Sequence, residues 1–151
     1  MRSLIVLIGN PAARAASLKK FGSASAFLQS RGFDTEILLT EKSGDATRLA
    51  EQAMDKRPFA IIAAGGDGTI NEVINGMAGS DTPLAILPLG TTNVLAKELG
   101  IPEDVKGAMD KAVSRKPRTV SLGRIELDAD TNSSFSRYFC LMAGIGFDGE
   151  A

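Results

Sequence analysis

Histidine and tryptophan are absent from the 151 residues, and cysteine and tyrosine occur once each. Without histidine there can be no His-based catalytic triad, His-ligated zinc site or histidine pH switch. A single cysteine cannot build an internal disulfide framework. Cys140 stands in the apolar run Tyr138-Phe139-Cys140-Leu141-Met142 and reads as a small buried hydrophobe. No apolar stretch approaches the roughly 20 residues that cross a bilayer. Neither sign of charge is in excess, since 17 Lys+Arg oppose 18 Asp+Glu for a formal net charge of -1. Nucleic acid, which is usually bound by a basic face, is therefore not an expected partner.

What is present suits a globular domain. Hydrophobic residues make up 44% and charged residues 23% of the chain, and a domain of this size buries roughly two-thirds of its unfolded surface. The start imitates a signal peptide, with Ala13-Arg14-Ala15 resembling a cleavage site. However, Gly9-Asn10-Pro11 stops the apolar run after about five residues, short of the roughly seven to fifteen that such a segment needs. A buried strand is the better reading, and a cytoplasmic protein with a reduced thiol is expected.

The β-rich run 4–8 predicts a strand covered on both faces. Leu18, Phe21, Ser25, Leu28 and Gln29 predict a helix over 13–30, closed at Gly32. A strand over 33–40 and a helix over 45–55 follow, the helix with Ala46, Leu49, Ala50 and Ala53 on one face. The third strand, 59–64, runs into glycines. From about Thr69, the spacing of Ile70, Val73, Ile74 and Met77 marks a third helix, with Gly76 or Gly79 as its stop. A short strand over 84–87 and a helix around 103–114 come next. Apolar strands alternating with helices define an α/β class, a mostly parallel sheet with helices on both faces. The tail differs: 119–127 and 135–142 read as two strands joined by a polar turn, the start of an antiparallel β segment. The expected division is an α/β domain over 1–118 and a β segment over 119–151.

In parallel sheets, ligands sit outside the carboxyl ends of the strands. Here those ends carry Gly9-Asn10-Pro11, Thr40-Glu41-Lys42, Gly65-Gly66-Asp67-Gly68-Thr69 and Pro88-Leu89-Gly90-Thr91-Thr92-Asn93. The third of these joins a strand to a helix start, where unpaired N–H groups and the helix dipole favour an anion. Its glycines would let the main chain approach phosphate oxygens. Asp67 would repel a phosphate unless a cation lay between them, and Mg²⁺ commonly bridges carboxylates and nucleotide phosphates. The plainer alternative is a tight turn in which Asp67 or Thr69 only caps the helix. The last loop also opens a helix, with hydroxyls and an amide at its cap positions. Two such loops on one edge supply the converging donors that a nucleotide needs.

The run Ala64-Gly65-Gly66-Asp67-Gly68-Thr69-Ile70-Asn71-Glu72-Val73-Ile74-Asn75-Gly76, followed by Leu87-Pro88-Leu89-Gly90-Thr91-Thr92-Asn93, closely resembles the diacylglycerol kinase catalytic-domain family. That family includes bacterial soluble lipid kinases and the related sphingosine and ceramide kinases. The resemblance extends from Asn10-Pro11, through Thr40 and Gly44-Asp45-Ala46, to Ala143-Gly144-Ile145-Gly146-Phe147-Asp148. The first motif alone is shared with NAD kinases and phosphofructokinases; joined to the second it is specific.

The resemblance implies an NAD kinase/diacylglycerol kinase-like N-terminal domain. It belongs to a Mg²⁺-dependent enzyme of phospholipid biosynthesis that binds ATP in a cleft between two domains. Such an enzyme transfers the γ-phosphate to a lipid hydroxyl, such as that of diacylglycerol, at the membrane surface. By position, Gly65, Gly66, Gly68 and Thr69 would cradle phosphates, and Asp67 would serve the metal-phosphate cluster. Thr40 and Thr91 match nucleotide-contacting threonines, while Asn10, Asn71, Glu72 and Asn93 would shape the pocket. Two departures stand out: Arg14 replaces a frequent glycine, and Val94 a frequent aspartate. The family's catalytic base is a carboxylate in a second, β-rich domain beyond residue 151. The fragment is therefore expected to bind ATP with little turnover. A location peripheral to the membrane fits this reading, and homo-oligomerisation is left open.

Other motifs carry less. Gly144-Ile145-Gly146-Phe147-Asp148-Gly149 has no following helix to receive a pyrophosphate. Asp128-Ala129-Asp130-Thr131-Asn132 lacks the glycine and glutamate of a calcium loop. Asn132-Ser133-Ser134 is a glycosylation sequon without secretory context. Arg115-Lys116-Pro117-Arg118 suits either an anionic membrane surface or a helix C-terminus. The competing functions are an NAD or other small-molecule kinase and a non-enzymatic ATP-binding module.

Overall fold

The computed structural model describes residues 2–11, 15–127 and 135–141. Strands β1 (Leu4–Gly9), β2 (Asp34–Leu39), β3 (Ala60–Gly65) and β4 (Leu84–Pro88) form one sheet in the order β2-β1-β3-β4. Every pairing in it is parallel. Because side chains alternate along a strand, the central strands feed two cores. Val6, Ile8, Ile61 and Ala63 face one side, while Ile5, Leu7, Ile62 and Ala64 face the other. The first side is covered by α2 (Asp45–Met54), α3 (Asp67–Met77) and Ala96 of the short α4 (Val94–Glu98). The second is covered by α1 (Ala15–Ser30) and α5 (Val105–Ser114). The α/β class with helices on both faces is thus observed.

Several details differ from the sequence expectation. β1 and β3 are buried on both faces, but β2 is an edge strand, and its Ile37 and Leu39 are exposed. On α1 the buried stripe is Ser17, Phe21, Ala24 and Leu28, so Leu18 faces solvent. Residues 13 and 14 of the expected helix lie outside the described residues. Helix α3 starts at Asp67, two residues before Thr69, because extended Gly66 already serves as its N-cap. Of its two candidate stops, Gly79 takes the left-handed conformation at φ 82 beyond the helix end. Gly76 lies inside and lets α2 approach: a Cβ there would sit 2.7 Å from that of Ala50 and closer still to the Thr47 carbonyl.

In the tail, β5 (Gly123–Leu127) and β6 (Phe135–Phe139) pair antiparallel, so the hairpin is present with a later first strand than expected. Leu122 and Cys140 pack against the α2–α3 core. The turn over 128–134 and the glycine-rich 143–149 lie outside the described residues, as does the sequon. Among the described residues, no helix is long and apolar enough to cross a membrane.

Candidate functional site

The parallel sheet brings the ends of β3 and β4 side by side, with Gly65 opposite Pro88. The two glycine loops therefore touch, and Gly66 and Gly90 make that contact possible. A Cβ on Gly90 would lie 2.5 Å from the Gly66 Cα and 2.8 Å from Asn93 Oδ1. A Cβ on Gly65 would meet the Thr69 side chain at 2.7 Å. Gly68 is different: it is exposed, and a Cβ there would meet nothing within 4 Å. Glycine in a helix costs up to about 1 kcal/mol relative to alanine, and internal packing gives no reason for it here.

Around Gly68 the helix start is open. The first bond onto the Gly66 carbonyl comes from Ile70 N–H, so the N–H groups of Asp67, Gly68 and Thr69 precede the helical ladder. These donors, with the positive end of an eleven-residue helix, have the chemistry that favours an anion.

Asp67 has a defined structural task. Its Oδ2 accepts from Val94 N–H at 3.0 Å and its Oδ1 from Leu95 N–H at 3.1 Å. It thus caps α4 from across the site rather than its own helix. Asn93, the residue before α4, is buried with φ 51, and its side chain does not cap that helix. Instead its amide accepts from Gly90 N–H and donates to the Gly90 carbonyl, both at 2.9 Å, folding the loop on itself. Thr91 and Thr92 are left exposed on the loop.

Two further acidic residues, Glu72 and Asp45, shape the neighbouring loop. Glu72 accepts from Ser43 Oγ and from Ala46 N–H at the start of α2, each at 3.2 Å. Both of its carboxylate oxygens are thus engaged at the start of α2. Asp45 is buried and accepts from Glu41 and Lys42 N–H at 2.9 and 3.1 Å. These two backbone bonds, with smaller help from Arg48, hold its carboxyl below the ordinary 3.8. Asp45 thereby folds the turn that follows Thr40, which is itself buried and anchored by its N–H to the Gly9 carbonyl at 2.9 Å. Asn10 is exposed just after β1.

Asn75 is a residue whose role sequence reasoning missed. Its Oδ1 accepts from Tyr138 N–H and its Nδ2 donates to the Tyr138 carbonyl, both at 2.9 Å. This ties β6 to α3. Between α3, α4 and the hairpin lies a cavity of about 310 Å³, lined by Asp67, Asn71, Val94, Leu95, Phe139, Cys140 and Leu141. Burial pushes the Cys140 thiol above its ordinary 9.0, and the Asp67 carboxylate adds to that. A pattern of apolar residues does not disclose an amide acting as a strand partner, because its target is 63 residues away.

The predicted site residues therefore fall into two groups. Gly65, Gly66, Asp67, Gly68, Thr69, Asn71, Thr91 and Asn93 belong to the two touching loops and the adjoining turns of α3. Asn10 and Thr40 stand at the ends of the neighbouring strands β1 and β2, and Glu72 holds α2.

Fold and edge together define an α/β protein with a glycine-rich, anion-competent strand-to-helix turn at the carboxyl side of a parallel sheet. The comparisons are more particular. A model of the diacylglycerol kinase catalytic domain matches residues 4–125. Diacylglycerol kinases of Staphylococcus aureus strains bovine RF122 / ET3-1 and MRSA252 are each 36% identical over 149 residues, covering 97% of this chain and 44% of theirs. A diacylglycerol kinase structure from Bacillus anthracis str. Sterne superposes with a TM-score of 0.59 at 32% identity, over 74% of this chain and 39% of that one. The chain belongs to the diacylglycerol kinase catalytic-domain family, and it spans less than half the length of these curated relatives.

Proposed function

We propose that this chain is the nucleotide-binding part of a lipid kinase that transfers the γ-phosphate of ATP to a lipid hydroxyl such as that of diacylglycerol. The observation that carries this reading is the open start of α3, where Gly68 has no internal packing partner. Three N–H groups and the helix dipole there suit the phosphates of ATP. Kinship with diacylglycerol kinases supports a lipid acceptor, and the reading takes that acceptor to lie at a membrane surface reached by a cytoplasmic, peripheral protein.

Magnesium fits this edge as a companion of the nucleotide. No cluster of three His, Cys, Asp or Glu that could hold a metal occurs among the described residues. Asp67 spends one acceptor position on each of two backbone N–H groups, leaving about half of a carboxylate's roughly four lone-pair sites. Mg²⁺ keeps several waters and is usually held by one or two carboxylates plus substrate phosphates, so Asp67 is the residue of this chain that would serve it. When bound, Mg²⁺ neutralises charge on the phosphates. The residues of this chain bind and orient: α3 holds phosphate oxygens, and Asp67 keeps the second loop against the first.

The family's carboxylate base is expected beyond these residues, so the chain alone should bind ATP and transfer phosphate poorly. Calorimetric titration with ATP, with and without Mg²⁺, tests the reading. Saturable binding that Mg²⁺ strengthens is the expected result. Absence of binding in both conditions refutes it, and rapid phosphorylation of NAD instead of diacylglycerol would reassign the acceptor.

A further inference from the structure

Asp67, Asn71 and Asn75 are spaced four apart, so they form one stripe along α3. The two ends of the stripe hold different elements. Asp67 takes the N–H groups of Val94 and Leu95 at the start of α4. Asn75 takes both main-chain groups of Tyr138 in β6. The middle member, Asn71, lines the open cavity between these two attachments.

The Asn75 amide makes three hydrogen bonds and uses both of its donor hydrogens. Besides its two bonds to Tyr138, its Nδ2 donates to the Asn71 carbonyl at 2.8 Å. An amide that accepts from an N–H and donates to the C=O of one residue imitates a neighbouring strand. It does so on a two-stranded sheet, the kind of hairpin that is only marginally stable by itself. The residues after Tyr138, namely Phe139, Cys140 and Leu141, supply one wall of the cavity, and Asp67 and Asn71 another.

We propose that Asn75 is a positioning residue, whose amide substitutes for a strand partner of β6 and thereby sets the cavity wall facing Asp67 and Asn71. The relevance of that cavity to phosphoryl transfer rests on the lipid-kinase reading; the clasp itself does not.

Composition supplies the probe. Tyr138 is the sole tyrosine and there is no tryptophan, so tyrosine fluorescence reports on β6 alone. Cys140 is likewise the sole cysteine, and its alkylation reports on opening of the cavity wall. In the 151-residue chain, Asn75→Ala is expected to lower Tyr138 fluorescence anisotropy while far-UV circular dichroism stays unchanged. Cys140 alkylation should accelerate by at least about tenfold, as the loss of two hydrogen bonds implies. Asn75→Asp keeps the shape and one acceptor but turns a carboxylate oxygen onto the Asn71 and Tyr138 carbonyls, and should change both readouts at least as much as alanine does. It also serves if the alanine variant does not fold. Thr47→Ala removes a bond from α2 to the Glu72 carbonyl, elsewhere on α3, and should leave both readouts at wild-type values.

Wild-type anisotropy and alkylation in both Asn75 variants would overturn the proposal, as would equal changes in the Thr47 control. Failure of the wild-type chain to bind MgATP would instead remove the link to phosphoryl transfer, with the clasp still measured separately.

Discussion

The two glycine loops share one order, a strand, a glycine turn and then a helix, yet they end differently. At the second loop the helix N-terminus is already occupied: Asp67 reaches across and takes the Val94 and Leu95 N–H groups. Asn93 then closes the loop onto Gly90. At the first loop the α3 N-terminus has no such cap, and no side chain accepts from it as an N-cap. The difference shows that a glycine-rich helix start is not by itself a ligand site. It becomes a candidate only where the protein leaves the donors unspent. The same division separates the glycines, since Gly65, Gly66 and Gly90 serve close internal contact whereas Gly68 serves none.

The contrast can be broken most severely at the point where the loops touch. Gly90→Ala places a methyl group 2.5 Å from the Gly66 Cα and should destabilise the fold. The expected cost is about 1–3 kcal/mol, as for overpacking in general, read as a lower denaturant midpoint. A smaller effect is expected from Asp67→Ala, which strips the cap from α4. Stability should fall by about 0.5–2 kcal/mol in the absence of any nucleotide. Full wild-type stability in that variant would mean that Asp67 acts on ligand alone.

The smallest effect concerns the Asp45 turn, which holds the loop after Thr40. A carboxyl lowered below 3.8 in the folded state contributes stability above that pH, and the contribution is lost as pH falls through the folded value. Acid titration followed by circular dichroism should show Asp45→Asn less stable at neutral pH and less sensitive to acidification. Parallel acid sensitivity in variant and wild type would contradict this role.

Much of this was legible in the chain before the structure was known. Continuous apolar runs at β1 and β3, each ending in glycine, disclosed a buried parallel sheet and the edge where its loops gather. Local spacing could not disclose that β2 is an edge strand, because its Ile and Leu resemble those of a central strand. It also could not separate Gly76 from Gly79: one is required by the nearby α2 backbone, the other by a positive φ. Asp67 and Glu72 stood out in the sequence as candidate site residues, but the caps they provide to α4 and α2 depend on contacts 28 and 26 residues away. Asn75 was hidden for the same reason, since its role exists only once the hairpin has docked.

The central claim is that the start of α3 is reserved for an anionic ligand, and Gly68→Ala tests it most directly. The added methyl group meets no atom of the protein, and alanine is the better helix former. Thermal melting paired with MgATP calorimetry should therefore show an equal or higher Tm together with affinity weakened by about tenfold or more, a loss near 1.4 kcal/mol. Unchanged MgATP affinity in a fully folded Gly68→Ala protein would contradict the account.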